Sequence, residues 1–410
     1  MNNATPYQLL DTLYLWYLGT PKQPVLVGEL KLLVSLRGVS LRYAPGWLQS
    51  GFPLSEDLPL IDIEHIPREK EVAAGAVDDA RPDRWGERVI RLIERPPRLS
   101  LLEMLFFAGD ERFGALGVSQ SNEAYVPNKG DPLPQLADVN AVHEIVLRVI
   151  AGESVNEKFR RLIAPGATMG GARPKALIRM EDAQWVLKFA EENASSEPLV
   201  EHASMTLAAL AGINVAETKP VKLARGMAVA IKRFDRIADR RLHALSANVA
   251  LKAAGSSLSY PSLAQLLRRR GDSEGGINQK QMRELFRRLI FNILIDNTDD
   301  HEKNHVLLLT DSQHYLLSPA FDILPTGHAL GYQSMDVGKE GAVSSIENAL
   351  SMSPSYGLKR HEAINEAKKV AGIVDQWQSH FLKNKIDRNT IAMLADQIDR
   401  PHLLEQRRSF

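Results

Sequence analysis

The polar run Asn297-Thr298-Asp299-Asp300-His301-Glu302-Lys303-Asn304-His305 is bounded on both sides by apolar sequence, and it constrains the fold more than any other stretch. Residues 279–296 before it carry apolar side chains at helical spacing, and the continuous run Val306-Leu307-Leu308-Leu309 follows it. A long helix must therefore pass to a buried strand through a loop of charged and amide side chains. The strand has a partner close by, because 306–309 and 315–317 flank the polar turn 310–313, which predicts a β-hairpin. Such a hairpin carries Ser318-Pro319-Ala320-Phe321-Asp322 back toward the polar loop.

Asp299 and Asn304 stand at D-x-x-x-x-N spacing, and Asp322 lies beyond the hairpin. Phosphoryl transfer needs an Asp to orient the attacking hydroxyl, with an Asn and a second Asp to hold magnesium over the nucleotide's phosphates. On this reading Asp299 is the catalytic base, and Asn304 and Asp322 are metal ligands. A competing reading starts from His301-Glu302-Lys303-Asn304-His305, which matches the H-E-x-x-H zinc helix of metallopeptidases. That site requires both histidines on one face of an amphipathic helix, and neither flank has the spacing for one. A third reading, a polar loop capping the helix over 279–296, needs no chemistry.

Upstream, Gly166-Ala167-Thr168-Met169-Gly170-Gly171-Ala172-Arg173-Pro174-Lys175 is a candidate phosphate-covering loop, since glycines let backbone N–H groups approach oxygens that a Cβ would block. It satisfies neither Walker A nor G-x-G-x-x-G spacing, and a turn between domains explains it equally. Pro174 favours a strand rather than a helix after it. Strands are expected at 176–179 and 185–189, a helix at 198–211, and a strand at 228–234. Lys188 interrupts the apolar strand Trp185-Val186-Leu187-Lys188-Phe189, where it needs an anionic partner, either nucleotide phosphates or Glu201 at the start of the next helix. The alternatives are a solvated edge-strand lysine and a glutamate serving only the helix dipole. At Ile231-Lys232-Arg233-Phe234-Asp235-Arg236 a strand turns charged just before the helical part begins. Backbone groups of Lys232 and Phe234 are candidates for a hinge that receives adenine; a solvated loop is the alternative.

Composition permits an enzyme with two or three cores: 410 residues are 44% hydrophobic, and fifty basic residues balance fifty acidic ones. No global positive field points to nucleic acid, and the basic stretch 266–270 reads as a solvated helix face. With no cysteine in the chain, disulfide scaffolds, thiolate zinc sites and cysteine nucleophiles are excluded. The N-terminus lacks a charged n-region, and no apolar run approaches the ~20 residues of a membrane span, so a cytoplasmic protein is expected. Proline and glycine cluster in 121–135, marking a linker. The expected division is a strand-rich accessory domain with helices over 1–125, a lobe with the Gly-rich loop over 126–236, and a helical lobe over 237–410 interrupted by the hairpin.

Several further matches occur in order: Ala44-Pro45-Gly46-Trp47-Leu48, Pro53-Leu54-Ser55, Gly109-Asp110-Glu111-Arg112-Phe113-Gly114-Ala115-Leu116-Gly117, Gly170-Gly171-Ala172-Arg173-Pro174-Lys175, Arg233-Phe234-Asp235-Arg236, and Asn-x-Asp-x-His-x-Lys-Asn at Asn297 to Asn304. Together with Ser318-Pro319-Ala320-Phe321-Asp322-Ile323-Leu324-Pro325 they make the chain resemble the HipA-type serine/threonine kinase toxins of bacterial toxin–antitoxin modules. The resemblance implies an α+β, two-lobed, divergent protein-kinase-like fold behind an N-terminal accessory domain. It implies ATP and Mg2+ as cofactors, with Thr168, Gly170, Gly171, Ala172, Lys188, Lys232, Phe234, His301 and Lys303 toward the nucleotide. It also implies Asp299 as base rather than Asp300, which occupies the family's variable position. Thr168 stands where the family carries an autophosphorylated serine. Implied partners are a helix-turn-helix antitoxin, operator DNA through that antitoxin, and an aminoacyl-tRNA synthetase as the phosphorylated protein. Asp322 is followed by Ile323-Leu324 and no His-Arg precedes Asp299, departures that set the chain apart from eukaryotic-type kinases. A small-molecule kinase and a catalytically silent co-repressor remain as alternatives.

Overall fold

A computed structural model describes residues 11–128, 132–155, 162–163, 171, 173–190, 196–326 and 331–409. The chain forms two compact units, Met1–Leu187 with Asp235–Leu245, and Lys188–Phe234 with Ser246–Phe410. The fold class is α+β: sheets dominate the N-terminal part, and the C-terminal part is helical around one hairpin.

The first unit is built on β1 (Thr12–Tyr17), β2 (Val25–Leu33), β3 (Gly38–Tyr43), β4 (Glu64–His65) and β5 (Leu116–Ser119), in the order β4-β3-β2-β1-β5. Each neighbouring pair is antiparallel. Alternation puts Leu13 and Leu15 of β1 and Val39 and Leu41 of β3 in the core, and in β2 Val27 and Leu30 join them across the register shift opposite Leu15 and Trp16. Apolar side chains cluster at 25–27 and 30–36, and these two runs form one strand followed by a 3-10 turn at Val34–Leu36. Gly28 joins them because a Cβ there would lie 2.1 Å from the Arg42 carbonyl oxygen. The helix Leu101–Phe107 packs across this sheet, its first turn closed by a capping box between Ser100 and the buried Glu103.

Two of the sequence motifs meet inside this unit. Asp235 accepts from the Gly114 N–H at 2.8 Å, and Arg236 donates to the carbonyls of Arg112 and Gly114 at 2.8 and 2.9 Å. The same unit holds β6 (Lys175–Met180) and most of β7 (Ala183–Phe189), which are hydrogen-bonded neighbours. Glu181 and Asp182 connect them at φ 52° and 58°, the left-handed pair that a two-residue type I′ hairpin demands.

The second unit takes the last two residues of β7, Lys188 and Phe189. The helix Glu197–Leu210 packs against the antiparallel pair β8 (Thr218–Lys222) and β9 (Met227–Lys232). Its helical core centres on Ile277–Leu294, where Leu285, Phe286, Leu289, Ile290, Phe291 and Ile293 are fully buried. Tyr260–Arg270 and Arg360–Val374 pack along this helix. The hairpin forms as expected from β10 (Val306–Leu309) and β11 (Tyr315–Leu317), pairing Leu307 with Leu317 and Leu309 with Tyr315. Among the described residues no helix is long and apolar enough to cross a membrane.

Candidate active site

The helix Ile277–Leu294 stops just before the polar loop, and Asp296 sits at φ 59°, a left-handed turn that ends helical pairing. Buried Asp296 is held by Arg400, whose guanidinium donates to its Oδ1 at 2.7 Å. From there the loop is closed by its own bonds. The His301 N–H donates to the Asp299 carbonyl at 2.9 Å, the Asn304 N–H to the His301 carbonyl at 2.9 Å, and Asn304 Nδ2 to the Asp299 carbonyl at 3.4 Å. Residues Glu302–Asn304 form only a 3-10 turn, and His305 is extended at φ −114° and ψ 126°. The helix that the zinc reading requires is therefore not there.

The two adjacent aspartates face different surroundings. Asp299 is exposed, whereas Asp300 is buried and its Oδ2 accepts from Tyr260 Oη–H, from Asn292 Nδ2 at 2.8 Å and from His305 Nε2 at 2.9 Å. Burial alone would raise the Asp300 carboxyl, but nearby His305 and the bonds from His305 and Tyr260 outweigh it and hold it below the ordinary aspartate value.

The hairpin brings the segment before Asp322 back beside the loop. Ser318 donates its N–H to the Val306 carbonyl at 2.8 Å, two residues beyond Asn304. Buried Arg288 donates to the Ser318 carbonyl at 2.6 Å, and the Ala320 N–H donates to Asn214 at 2.8 Å. Asp322 then takes φ 59°, a conformation that costs energy for a residue with a Cβ and concentrates at functional sites. Its Oδ1 lies 2.7 Å from Lys188 Nζ, which also lies 2.6 Å from Glu201 Oε1. Burial pushes the Lys188 ammonium down, but Asp322 and Glu201 together push harder, so it stays charged with a raised pKa. The pair between Lys188 and Glu201 that strand and helix positions suggested is thus present.

Phe321, next to Asp322, stacks at 5.5 Å and 38° on Phe234, one of the two hinge candidates. Lys232, the other, is exposed and pairs with Glu217 at 3.2 Å, while its N–H donates to the Glu217 carbonyl at 2.9 Å. His301 and Lys303 are half-buried on the polar loop. Of the Gly-rich segment, Thr168, Gly170 and Ala172 lie outside the described residues. Gly171 adopts φ 100°, and buried Lys175 pairs with Asp83 at 2.8 Å within the first unit.

Asn304 Oδ1 is buried without a hydrogen-bond partner among the described residues. An orphaned carbonyl-type oxygen with the Asp322 carboxylate supplies the hard oxygen donors that magnesium takes from protein, the remaining positions going to phosphate and water. Asn304 and Asp322 therefore have the donor chemistry that such an ion takes.

Sequence reasoning missed Arg288, Tyr260 and Asn292, which hold this machinery from behind. Arg288 had a signal: of the adjacent pair Arg287-Arg288, it stands three residues after Leu285 and directly before Leu289, on the apolar side of the helix, where a guanidinium needs buried partners. Tyr260 had none, since its partner lies forty positions away.

The HipA-like C-terminal domain family model matches residues 167–378, a segment that contains Lys188, Phe234, the polar loop and Asp322. The chain belongs to this HipA-like family. A putative kinase, Y4dM of Sinorhizobium fredii, is 27% identical over 238 residues, which are 52% of this chain and 56% of that protein, so the match spans little more than half of that relative. The serine/threonine-protein kinase toxin HipA of Shewanella oneidensis is 24% identical over 331 residues, 70% of each chain. The solved complex of Shewanella oneidensis HipA with HipB and operator DNA contains a chain with the same fold, at TM-score 0.67 and 17% identity over 97% of both chains. The HipA-like match thus covers residues 167–378, and the likeness of fold extends over nearly the whole chain.

Proposed function

We propose that this HipA-like chain is an ATP- and magnesium-dependent serine/threonine protein kinase that acts in the cytoplasm as the growth-arresting toxin of a toxin–antitoxin pair. The observation that carries the reading is the cluster of buried Lys188 and Glu201 with half-buried Asp322, held at 2.6 and 2.7 Å across residues far apart in sequence. These are the residue types, in the chain order, that phosphoryl transfer requires. ATP with magnesium would supply the transferable phosphoryl group and neutralise its charge. Asp299, exposed at the loop, would accept the proton of the acceptor hydroxyl as the γ-phosphoryl passes to that oxygen and ADP leaves. Asn304 and Asp322 would hold the metal, Lys188 the phosphates, and His301 and Lys303 would line the nucleotide side of the loop. Lys232 and Phe234 would offer backbone groups to adenine, residues 126–236 and 237–410 acting as the two lobes.

Kinase names among the relatives support the activity, and the naming of HipB and operator DNA with the Shewanella protein supports an antitoxin partner and DNA reached through it. The protein acceptor we favour is an aminoacyl-tRNA synthetase, with Thr168 as a self-phosphorylation site. Incubating the purified chain with magnesium and γ-labelled ATP tests this. Label on the chain or on a synthetase is expected; the absence of any transfer would refute the kinase reading. Intact mass should rise by one phosphate in the wild type and not in Thr168→Ala, and an equal gain in both rejects that site.

A further inference from the structure

The polar loop is pinned from behind through Asp300, a residue that takes no part in the transfer step proposed above. Its buried carboxylate gathers three donors on one oxygen: Tyr260 at the start of the helix Tyr260–Arg270, Asn292 on the helix Ile277–Leu294, and His305 on the far side of the loop. Asn292 passes the grip on, since its Oδ1 accepts from Asn297 Nδ2 at 3.1 Å and its carbonyl from the Asn297 N–H at 2.9 Å. The loop is therefore fixed at 297, 300 and 305. Between the last two points lies Asn304, and immediately before the central one lies Asp299.

A carboxylate has no proton to give, so His305 must carry its hydrogen on Nε2, and the Tyr260 hydroxyl must point at Asp300. The Tyr260 ring stands edge-on to the His305 ring at 5.3 Å and 74°, and His305 Nδ1 is buried without a partner among the described residues. His305 is thus oriented on one side only, by Asp300. Its carbonyl receives the Ala247 N–H at 2.8 Å, tying the loop exit to the helix Ala247–Ala253. Among the described residues the imidazole bonds only to Asp300, and the donors to Asp300 Oδ2 are Tyr260, Asn292 and His305, all outside the reacting centre.

We propose that Asp300 and His305 are a positioning pair, whose hydrogen bond sets where the Asp299 carboxylate and the Asn304 amide are presented. The pair deepens the kinase reading and rests on it for its kinetic consequence. Both side chains are buried behind the loop. Losing the bond leaves nucleotide contacts in place and displaces the base, and displacement on the order of 1 Å can cost ~10²-fold in rate.

Two measurements test this. In the first, His305→Leu removes the donor while filling similar space, and His305→Gln restores an amide N–H at the Nε2 position. With the wild type active, His305→Leu should lower kcat by ~10- to 100-fold at nearly constant KM for ATP, and His305→Gln should recover most of that loss. Unchanged kcat in His305→Leu, no recovery in His305→Gln, or kcat and KM failing together with the melting temperature would each overturn the proposal. In the second, nitrogen-15 shifts of the His305 ring, assigned by their disappearance in His305→Gln, report which nitrogen is protonated whether or not the protein turns over. A hydrogen on Nε2 is expected, as the bond to Asp300 requires, and a bare Nε2 overturns the pair. A wild type without any phosphoryl transfer but with protonated Nε2 would refute the kinase reading alone.

Discussion

Lys188 Nζ lies 2.7 Å from Asp322 Oδ1, joining a strand residue to a turn residue 134 positions later. The same ammonium holds Glu201, so one buried cation organises two carboxylates from separate elements. Breaking a buried ion pair by removing one partner costs ~3–5 kcal/mol, because the remaining charge loses its compensation. Lys188→Met should therefore lower unfolding stability by about that amount and abolish nucleotide binding. Adding Glu201→Gln should restore much of the stability and none of the binding. Chemical denaturation and nucleotide titration of the two variants measure this, and equal stability of single and double variants would count against the cluster.

The adjacent aspartates separate chemistry from architecture. Asp299 is exposed, so Asp299→Asn should leave the melting temperature within a degree or two while reducing phosphoryl transfer by ~10²- to 10⁴-fold, the usual contribution of a general base. Asp300→Ala strips three buried donors of their acceptor and should destabilise by ~1–3 kcal/mol per unsatisfied group. If Asp300→Asn kept its fold and lost activity while Asp299→Asn stayed active, the two roles would have to be exchanged.

The contrast between these aspartates also marks what could be read from the sequence. Spacing located the loop, the hairpin at Val306–Leu309 and Tyr315–Leu317, and the helix Ile277–Leu294, because local periodicity specifies local structure. A charge inside an apolar strand announced that Lys188 needed an anion, and Glu201 supplied it. The second anion, Asp322, was expected to bind a metal and was not foreseen as the lysine's partner, since nothing in a sequence gives the distance between a strand and a turn so far apart. The triple grip on Asp300 was invisible for the same reason: its donors come from three elements, and each alone looks like an ordinary Tyr, Asn or His. In the first sheet, β5 pairs with β1 across about a hundred residues, a register that no local pattern encodes.

Asp322 adopts φ 59°, which restricts how its role can be tested. Alanine there would add backbone strain of ~1 kcal/mol or more to the loss of the carboxylate, mixing two effects. Asparagine tolerates the left-handed region and preserves the shape. Asp322→Asn should keep the fold while weakening magnesium-dependent nucleotide binding, and titration with and without magnesium reads the difference. An unaltered magnesium effect would remove Asp322 from the metal site.

His243 gives the first unit a pH dependence of predictable sign. Its ring is buried beside Phe52, Nε2–H donates to the Leu54 carbonyl at 2.8 Å, and Nδ1 has no partner among the described residues. Burial pushes its pKa down from 6.5 to about 4, the Leu54 bond opposing only in part. The folded value lies below the unfolded one, so between them the unfolded chain binds the extra proton. The resulting stability is present above pH 6.5 and is lost as pH falls toward 4, by about 3 kcal/mol for a shift of this size. His243→Gln keeps an N–H for Leu54 and removes the titration. Urea unfolding at pH 7, 5.5 and 4 should therefore show the wild type losing stability faster than the variant, and parallel curves would mean that His243 charges without cost.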